Sequence, residues 1–235
     1  MDKSAAIGIM CKAPRPGRTK TRLAAVIGAE LAAALSGCFL RDVAAAIEAV
    51  PESIARKGYG VYAPAGAKAE LRGVLPPSFG LLLQADAEFG NVLYGAVEDL
   101  LSAGHDCVSL VNSDSPTLPA AFLMRTIEIL RQPGDRVVLG PAVDGGYYLI
   151  GLKAAHRHLF TNIPWGTPSV ARLTIERASQ IGLQVVLLPE WYDVDDAESL
   201  GWLRQELAGQ SGRFRGGGKA NATRTFLGTV AEAAK

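Results

Sequence analysis

The first residues that could do chemistry form a polar segment, 112–119, with the sequence Asn-Ser-Asp-Ser-Pro-Thr-Leu-Pro. It follows an apolar run that ends at Val111 and precedes a predicted helix. Open α/β sheets bind ligands at the carboxyl ends of their strands, where a carboxylate can hold a metal ion or approach a phosphate. Asp114 is therefore the first candidate catalytic residue, and Asn112 and Ser113 are candidates for contacts with a nucleotide.

A basic loop, residues 12–22, carries five basic side chains and no acidic one between the first apolar run and a helix predicted to begin near Thr19 or Lys20. Backbone amides at a helix start, together with Lys and Arg side chains, bind phosphate oxygens. The loop is not a Walker loop, because two residues separate its glycine from Lys20, and a merely solvated basic loop is the structural alternative. The candidate nucleotide-binding residues here are Lys12, Pro14, Gly17, Arg18, Lys20 and Arg22.

A third motif lies in residues 140–151, where Asp144 precedes two glycines and a predicted strand. Glycine permits a ligand to approach the backbone closely, although Asp-Gly-Gly is also an ordinary turn sequence. Trp165 lies in a loop rich in turn residues and either covers a substrate or packs the loop against the core. The candidate substrate-binding residues are Gly145, Gly146, Tyr147 and Trp165.

Three aspartates, Asp193, Asp195 and Asp196, lie between a predicted strand and a predicted helix. One of the last two could cap that helix, which is a common use of aspartate. In an extended segment Asp193 and Asp195 point the same way, so either could approach a cation that Asp114 also holds.

These motifs must be positioned by alternating strands and helices. Apolar runs predict seven strands, and helical patterns separate most of them, which indicates an α/β fold with a mostly parallel sheet covered on both faces. The strands are predicted at 5–10, 58–63, 80–84, 107–111, 136–140, 147–152 and 184–188. We expect a single domain over residues 1–209, followed at 210–235 by a flexible Gly/Arg-rich segment with a short helix near 224–234.

Composition narrows the class of protein. The formal net charge of +1 gives no field that would hold nucleic acid or an anionic membrane, so neither is an expected partner. The first apolar run is too short for a signal peptide or a membrane span, which predicts a cytoplasmic protein. The three cysteines stand singly, which argues against disulfides and a zinc site.

Five motifs, taken together and in order, resemble the radical-SAM/selenodomain-associated transferase family, which is related to 2-phospho-L-lactate guanylyltransferase and more distantly to molybdenum cofactor guanylyltransferase. The resemblance implies a GT-A-like, nucleotide-diphospho-sugar transferase fold with a Rossmann-like sheet. The motifs occupy residues 12–23, 112–118, 140–151, 164–167 and 193–195.

The resemblance also implies roles for single residues. Lys20 and Arg22 match the Lys-x-Arg of the family's first loop, where phosphates are expected. Asp114 matches the aspartate that binds a divalent metal, Mg²⁺ or Mn²⁺. Asp195 is the best match for a second metal carboxylate.

Two enzymatic hypotheses follow. In a nucleotidyltransferase, an acceptor oxygen attacks the α-phosphorus of a nucleoside triphosphate, and Lys12, Lys20 and Arg22 stabilise the departing pyrophosphate. In a glycosyltransferase, a nucleotide sugar donates to a small acceptor and Asp144 acts as the base. We expect the first, since five cations in one loop suit a triphosphate. A catalytically idle nucleotide-binding module is a third possibility, and the base, the small-molecule acceptor and the oligomeric state stay open.

Overall fold

A computed structural model describes residues 4–210 and 212–233 and shows a seven-stranded sheet. The strands are β1 (Ala5–Lys12), β2 (Arg56–Ala63), β3 (Gly80–Leu83), β4 (Cys107–Asn112), β5 (Arg136–Pro141), β6 (Tyr147–Leu152) and β7 (Gln184–Leu187). Their order across the sheet is β3-β2-β1-β4-β6-β5-β7, and β6 runs antiparallel to both of its neighbours while the other pairs are parallel. The predicted α/β fold with a mostly parallel sheet is confirmed.

The described part of the chain has eight α-helices, of which six lie between strands and two follow β7. They are α1 (Thr21–Ile27), α2 (Ala29–Glu48), α3 (Lys68–Arg72), α4 (Phe89–Ser102), α5 (Ala120–Arg131), α6 (Val170–Gln180), α7 (Ala197–Leu207) and α8 (Asn221–Ala233). Among residues 4–210 and 212–233, none of these helices combines the length and the apolar character that crossing a bilayer requires.

The sheet separates two apolar cores. On one face, α2, α5 and α7 contribute buried side chains such as Phe39, Ile127 and Leu203; on the other, α4 and α6 contribute side chains such as Val97 and Ala178. Successive strand residues alternate between the two cores, so neither face of a central strand meets water. This explains why these strands are continuous apolar runs. The three cysteines are buried and unpaired, as predicted.

One edge of the sheet collects the predicted motifs. Because β1, β4, β5 and β7 run in the same direction, their carboxyl ends lie at this edge, and the turn from β5 into antiparallel β6 lies there too. The chain after β7 continues along the same edge, where the amide of Val194 donates to the carbonyl of Asp114 over 2.8 Å. Topology therefore brings together segments that are far apart in the sequence.

The C-terminal segment contacts the domain at several points. Phe214 packs against Tyr192 with ring centroids 4.5 Å apart. The buried Asp42 carboxylate accepts the amides of Ala222 and Thr223, each at 2.9 Å, at the start of α8. The helix begins at Asn221, three residues before the predicted start, because Asp42 supplies oxygen partners for its first amides. The division at residue 209 and the flexibility of the segment stay predictions.

Candidate active site

Asp114, Asp195 and Lys20 form the centre of the site. The Lys20 ammonium lies 2.9 Å from Oδ1 of Asp114 and 2.5 Å from Oδ1 of Asp195. It also donates to the carbonyl of Val194 at 2.8 Å, so three oxygens match its three N–H donors. Only 5% of the Lys20 side chain is exposed, against 31% for Asp114 and 27% for Asp195. Two carboxylates from different loops thus converge on one buried cation.

The backbone fixes this convergence. The Val194–Asp114 hydrogen bond joins the two acidic loops, and the Ser115 hydroxyl donates to the carbonyl of Tyr192 at 2.8 Å. Lys20 itself has left-handed backbone angles, φ 51° and ψ 48°, just before α1. That conformation is uncommon for a residue with a side chain. Here it accompanies a lysine whose side chain is directed inward to the carboxylates rather than outward to solvent.

The structure separates the roles of the neighbouring aspartates. The carboxylate of Asp196 accepts the amide of Ser199 at 2.9 Å and caps α7 in a capping box. Asp195 instead faces Lys20, and its other oxygen accepts from Arg22 at 2.6 Å. Which of the two caps the helix was open from the sequence, and the answer is Asp196.

Charge and burial shift the pKa values of this cluster in opposite directions. Burial lowers the pKa of Lys20, but the charges of Asp114 and Asp195 outweigh it and the net shift is upward. Burial raises the pKa of Asp195, but Lys20 and Arg22 outweigh it and the net shift is downward. Asp193 differs, because burial and the charges of Asp195 and Asp144 raise its pKa to about 7. Asp195 is therefore the charged partner of Lys20, and Asp193 is the carboxylate that the site keeps partly neutral.

The basic loop differs from the expectation of a five-cation phosphate site. Arg15 forms a two-point ion pair with Glu70, at 3.0 and 2.5 Å, and so points away from the site. Lys20 and Arg22 are already paired with aspartates. Among the loop's cations, which all lie in the described part of the chain, Lys12 and Arg18 are the two without an ion pair, and both line the cleft.

The structure also gives the position of helix α1 and of two further candidate residues in this loop. Helix α1 has only seven residues and begins at Thr21, so its dipole offers less for an anion than the sequence suggested. Pro14 lies against Gly37 of α2, and Gly17 turns the chain at φ 69°; neither lines the cleft. Both residues shape the loop, because proline restricts φ and glycine frees it, and their contact with a nucleotide stays a prediction.

The cleft in front of Lys20 has a volume of about 500 Å³. The candidates that line it are Lys12, Arg18, Lys20 and Arg22 from the loop, Asn112, Ser113 and Asp114 after β4, and Asp195. Ser113 donates to Oδ1 of Asp114 at 3.1 Å and so orients that carboxylate. Sequence reasoning missed Gln84, whose amide donates to the carbonyl of Val61 at 2.8 Å. The only signal for it was a polar residue at the end of the strand predicted at 80–84.

A second, smaller cavity of about 180 Å³ adjoins the cleft. It is lined by Gly146, Tyr147 and Trp165, which were predicted to contact substrate, and by Asp144, the base of the glycosyltransferase hypothesis. Gly145 does not line it. A side chain at Gly145 would overlap the backbone of Pro168, and φ there is +86°, so this glycine serves close packing. The Asp144 carboxylate accepts a hydrogen bond from the amide of Gly146 at 2.8 Å. This contact is typical of the turn that the Asp-Gly-Gly sequence indicates.

The two carboxylates fit a divalent cation that is shared with a ligand. Among the described residues, no group of three or more His, Cys, Asp or Glu side chains could enclose a metal. The Lys20 ammonium nevertheless shows that one cation can contact both Asp114 and Asp195. Magnesium is commonly held by one or two carboxylates plus substrate phosphates, so two carboxylates beside a cleft suit Mg²⁺ or Mn²⁺ that arrives with a nucleotide.

Comparison with solved structures places the fold. A protein of Desulfovibrio desulfuricans G20, provisionally named a nucleotide-diphospho-sugar transferase, is 27% identical with a TM-score of 0.83, over 98% of each chain. CMP:2-keto-3-deoxy-manno-octonic acid synthetase complexed with CTP is 12% identical with a TM-score of 0.57, over 88% of this chain and 99% of that one.

A third similar structure is glucosyl-3-phosphoglycerate synthase from Mycobacterium tuberculosis in complex with Mn²⁺, UDP and glucosyl-3-phosphoglycerate. It is 13% identical with a TM-score of 0.51, over 88% of this chain and 78% of that one. The nucleotide-diphospho-sugar transferase fold implied by the motifs is confirmed, and the fold is shared by a nucleotidyltransferase and a glycosyltransferase.

Comparison of sequences gives the family. No curated protein matches the chain. A family model described as "Uncharacterized protein conserved in bacteria (DUF2064)" matches residues 47–167, more than half of the chain. The chain therefore belongs to the DUF2064 family.

Proposed function

We propose that the protein is a metal-dependent nucleotidyltransferase that joins the nucleoside monophosphate of a nucleoside triphosphate to a small phosphorylated acceptor and releases pyrophosphate. The observation that carries the proposal is the convergence of Asp114 and Asp195 on one cation position, in a cleft that also exposes the unpaired Lys12 and Arg18. Carboxylates and unpaired cations in one cleft suit a metal-bound polyphosphate better than a neutral ligand.

The transfer needs positioning and charge stabilisation rather than a nucleophilic side chain. An oxygen of the acceptor phosphate attacks the α-phosphorus, the bond from that phosphorus to the bridging oxygen breaks, and pyrophosphate leaves. Lys12 and Arg18, which have no carboxylate partner, stabilise the negative charge that develops on the leaving group. Bound Mg²⁺ or Mn²⁺, held by Asp114 and Asp195, would neutralise phosphate oxygens and orient them. The Lys20 ammonium, which contacts both carboxylates, would lie beside the metal and add a fixed positive charge.

The order of the five motifs supports a more specific family relationship. We include in the proposal a kinship with the radical-SAM/selenodomain-associated transferases and 2-phospho-L-lactate guanylyltransferase, which rests on that order. The alternative is a GT-A glycosyltransferase with Asp144 as base. It is less favoured because the unpaired Lys12 and Arg18 in the cleft suit the charge of a departing pyrophosphate.

The products distinguish these reactions. The protein is incubated with Mg²⁺ and a panel of nucleoside triphosphates and sugar nucleotides, first for thermal stabilisation and then, with small phosphate esters, for product release. Pyrophosphate release supports the proposal, and release of a nucleoside diphosphate from a sugar nucleotide would replace it with the glycosyltransferase. Absence of binding and of turnover with every donor would reject both.

The metal role is tested by Asp114→Asn. We expect this variant to fold and to lose magnesium-dependent nucleotide binding by calorimetry, because one of the two carboxylates has lost its charge. Asp196→Asn is the matched control, since asparagine caps a helix as well as aspartate and Asp196 faces away from Lys20. Unchanged nucleotide binding in Asp114→Asn, or equal loss in both variants, would contradict the assignment.

A further inference from the structure

The cavity of about 180 Å³ beside the cleft is lined mainly by apolar side chains. Its walls include Met10, Phe89, Leu93, Tyr147, Ile150 and Trp165. Met10, Phe89 and Asn112 line both spaces, so the cavity opens into the cleft in which we place the nucleotide. A ligand can therefore occupy both at once.

The aromatic side chains that line the cavity are packed against one another. Trp165 packs edge to face against Phe89 and Tyr147, with ring centroids 5.1 and 6.3 Å apart, and such pairs hold rings at a defined angle. Gly90 makes room for this arrangement, since a side chain there would overlap the carbonyl of Phe160 and press on the Trp165 indole. The cavity is a shaped space between packed rings rather than a gap between loops.

The polar atoms at the mouth restrict what can enter. Within the described residues, the buried Oδ1 of Asn112 has no hydrogen-bond partner, and a buried acceptor of this kind is stabilised by a donor. The charged side chain that lines the cavity is Asp144, and no lysine or arginine lines it. A negatively charged group would lose its hydration there and face a carboxylate. The part of a ligand that occupies the cavity is therefore neutral and apolar, and Oδ1 of Asn112 can accept a hydrogen bond from any hydroxyl or amine that this part carries.

The volume sets the size of the occupant. A closed apolar cavity of about 150 Å³ accommodates benzene, so this one suits a ring or branched chain of about six to eight non-hydrogen atoms. We propose that the acceptor is the phosphate monoester of such a ring or branched alcohol, with its apolar body in the cavity and its phosphate in the cleft. This rests on the proposed function and specifies its acceptor. The attacking oxygen belongs to the ester phosphate, and the product is a nucleoside diphosphate ester plus pyrophosphate.

The test compares phenyl phosphate with methyl phosphate, which carry the same charged group on different bodies. Binding of each ester to the full chain is measured by calorimetry without nucleotide, and the part of the tryptophan fluorescence change that is lost in Trp165→Ala reports on the cavity. We expect phenyl phosphate to bind roughly tenfold more tightly or better, because burying a ring-sized apolar group gives at least that ratio. Equal affinity, or no measurable binding of either ester, would overturn the inference.

Two variants localise the preference. Val170→Phe fills the cavity that Val170 lines, and Trp165→Ala removes a wall; both should abolish the preference for phenyl phosphate while magnesium–nucleotide binding persists. Trp202→Ala, which removes an indole that packs against Tyr192 and Phe214 outside the cavity, should keep it. A preference that survives both cavity variants would place the ring elsewhere and refute the inference.

Failure of the proposed function has a different signature. In that case wild-type protein binds no nucleotide with Mg²⁺, yet still prefers phenyl phosphate and loses the preference in Val170→Phe. If nucleotide binds and the two esters bind equally, the nucleotidyltransferase proposal stands and the apolar acceptor is wrong.

Discussion

Replacing Lys20 by methionine tests the reading of the site most directly, because methionine keeps most of the side-chain volume and removes the charge. In the native protein the ammonium is the shared partner of Asp114 and Asp195, at 2.9 and 2.5 Å. Without the ammonium, the two carboxylates repel each other in a site that is only partly exposed to solvent. Breaking a fully buried ion pair costs about 3–5 kcal/mol.

The expected cost here lies at the lower end of that range. The carboxylates are 31% and 27% exposed, so they retain part of their hydration after the cation is removed. We expect Lys20→Met to lower the free energy of unfolding by about 3 kcal/mol. At about 2–4 °C per kcal/mol for a chain of this size, Tm falls by roughly 6–12 °C. Urea denaturation at pH 7 without divalent cations measures the first quantity, and differential scanning calorimetry the second.

Arg22→Met is the matched control. Arg22 also contacts Asp195, at 2.6 Å, but 69% of its side chain is exposed, and exposed pairs contribute about 1 kcal/mol at most. Magnesium should recover more stability in Lys20→Met than it adds to the wild type, because the two carboxylates of the variant have lost the cation that lies between them. The reasoning would be refuted if Lys20→Met lowered the free energy of unfolding by less than about 1 kcal/mol. It would also be refuted if Arg22→Met lowered that free energy by the same amount as Lys20→Met.

Three further predictions follow from single contacts. Asp196→Ala removes the cap of α7 and should cost about 1 kcal/mol in urea denaturation, with nucleotide binding unchanged by calorimetry. Burial and neighbouring aspartates raise the pKa of Asp193 from 3.8 to about 7, so the native state holds a proton that the unfolded chain releases. Stability should then decline as pH rises from about 4 to 7, and this decline in Tm should be absent in Asp193→Asn. Arg18→Ala should weaken triphosphate binding roughly tenfold or more, as expected for loss of a charge-assisted contact, whereas Arg15→Ala, which breaks only the Glu70 pair, should leave it unchanged.

The fold was predictable from the sequence because its signals are local and repeated. The central strands are buried on both faces and so are apolar throughout, and the edge strands β3 and β7 are also apolar runs although they are partly exposed. Helix α3, five residues long with one buried leucine, was missed because so short a segment has no visible periodicity. The start of α8 was placed too late because its oxygen partner, Asp42, lies 180 residues earlier.

The sequence indicated candidate residues for the site but not the ion pairs that these residues form. Its position after an apolar run identifies Asp114, whereas the family resemblance selects Lys20 from the basic loop and Asp195 from three neighbouring aspartates. The sequence does not show that Arg15 pairs with Glu70, 55 residues away, nor that Asp195 pairs with Lys20, 175 residues away. Counting cations in a loop therefore overestimates the charge available to a ligand. The apolar cavity was invisible for the same reason, because its walls come from five separate segments.

The charge balance of the cluster bears on how a nucleotide would bind. Lys20 and Arg22 are matched by Asp114 and Asp195, so these four side chains together carry no net charge, and Lys12 and Arg18 supply the positive charge that remains in the cleft. A free triphosphate would meet two cations but also two partly exposed carboxylates, whose repulsion offsets much of the attraction. The same carboxylates become favourable partners when the phosphates carry a divalent cation. The arrangement thus favours the metal–nucleotide complex over the free nucleotide, and nucleotide affinity should rise steeply with magnesium concentration rather than with net positive charge on the protein.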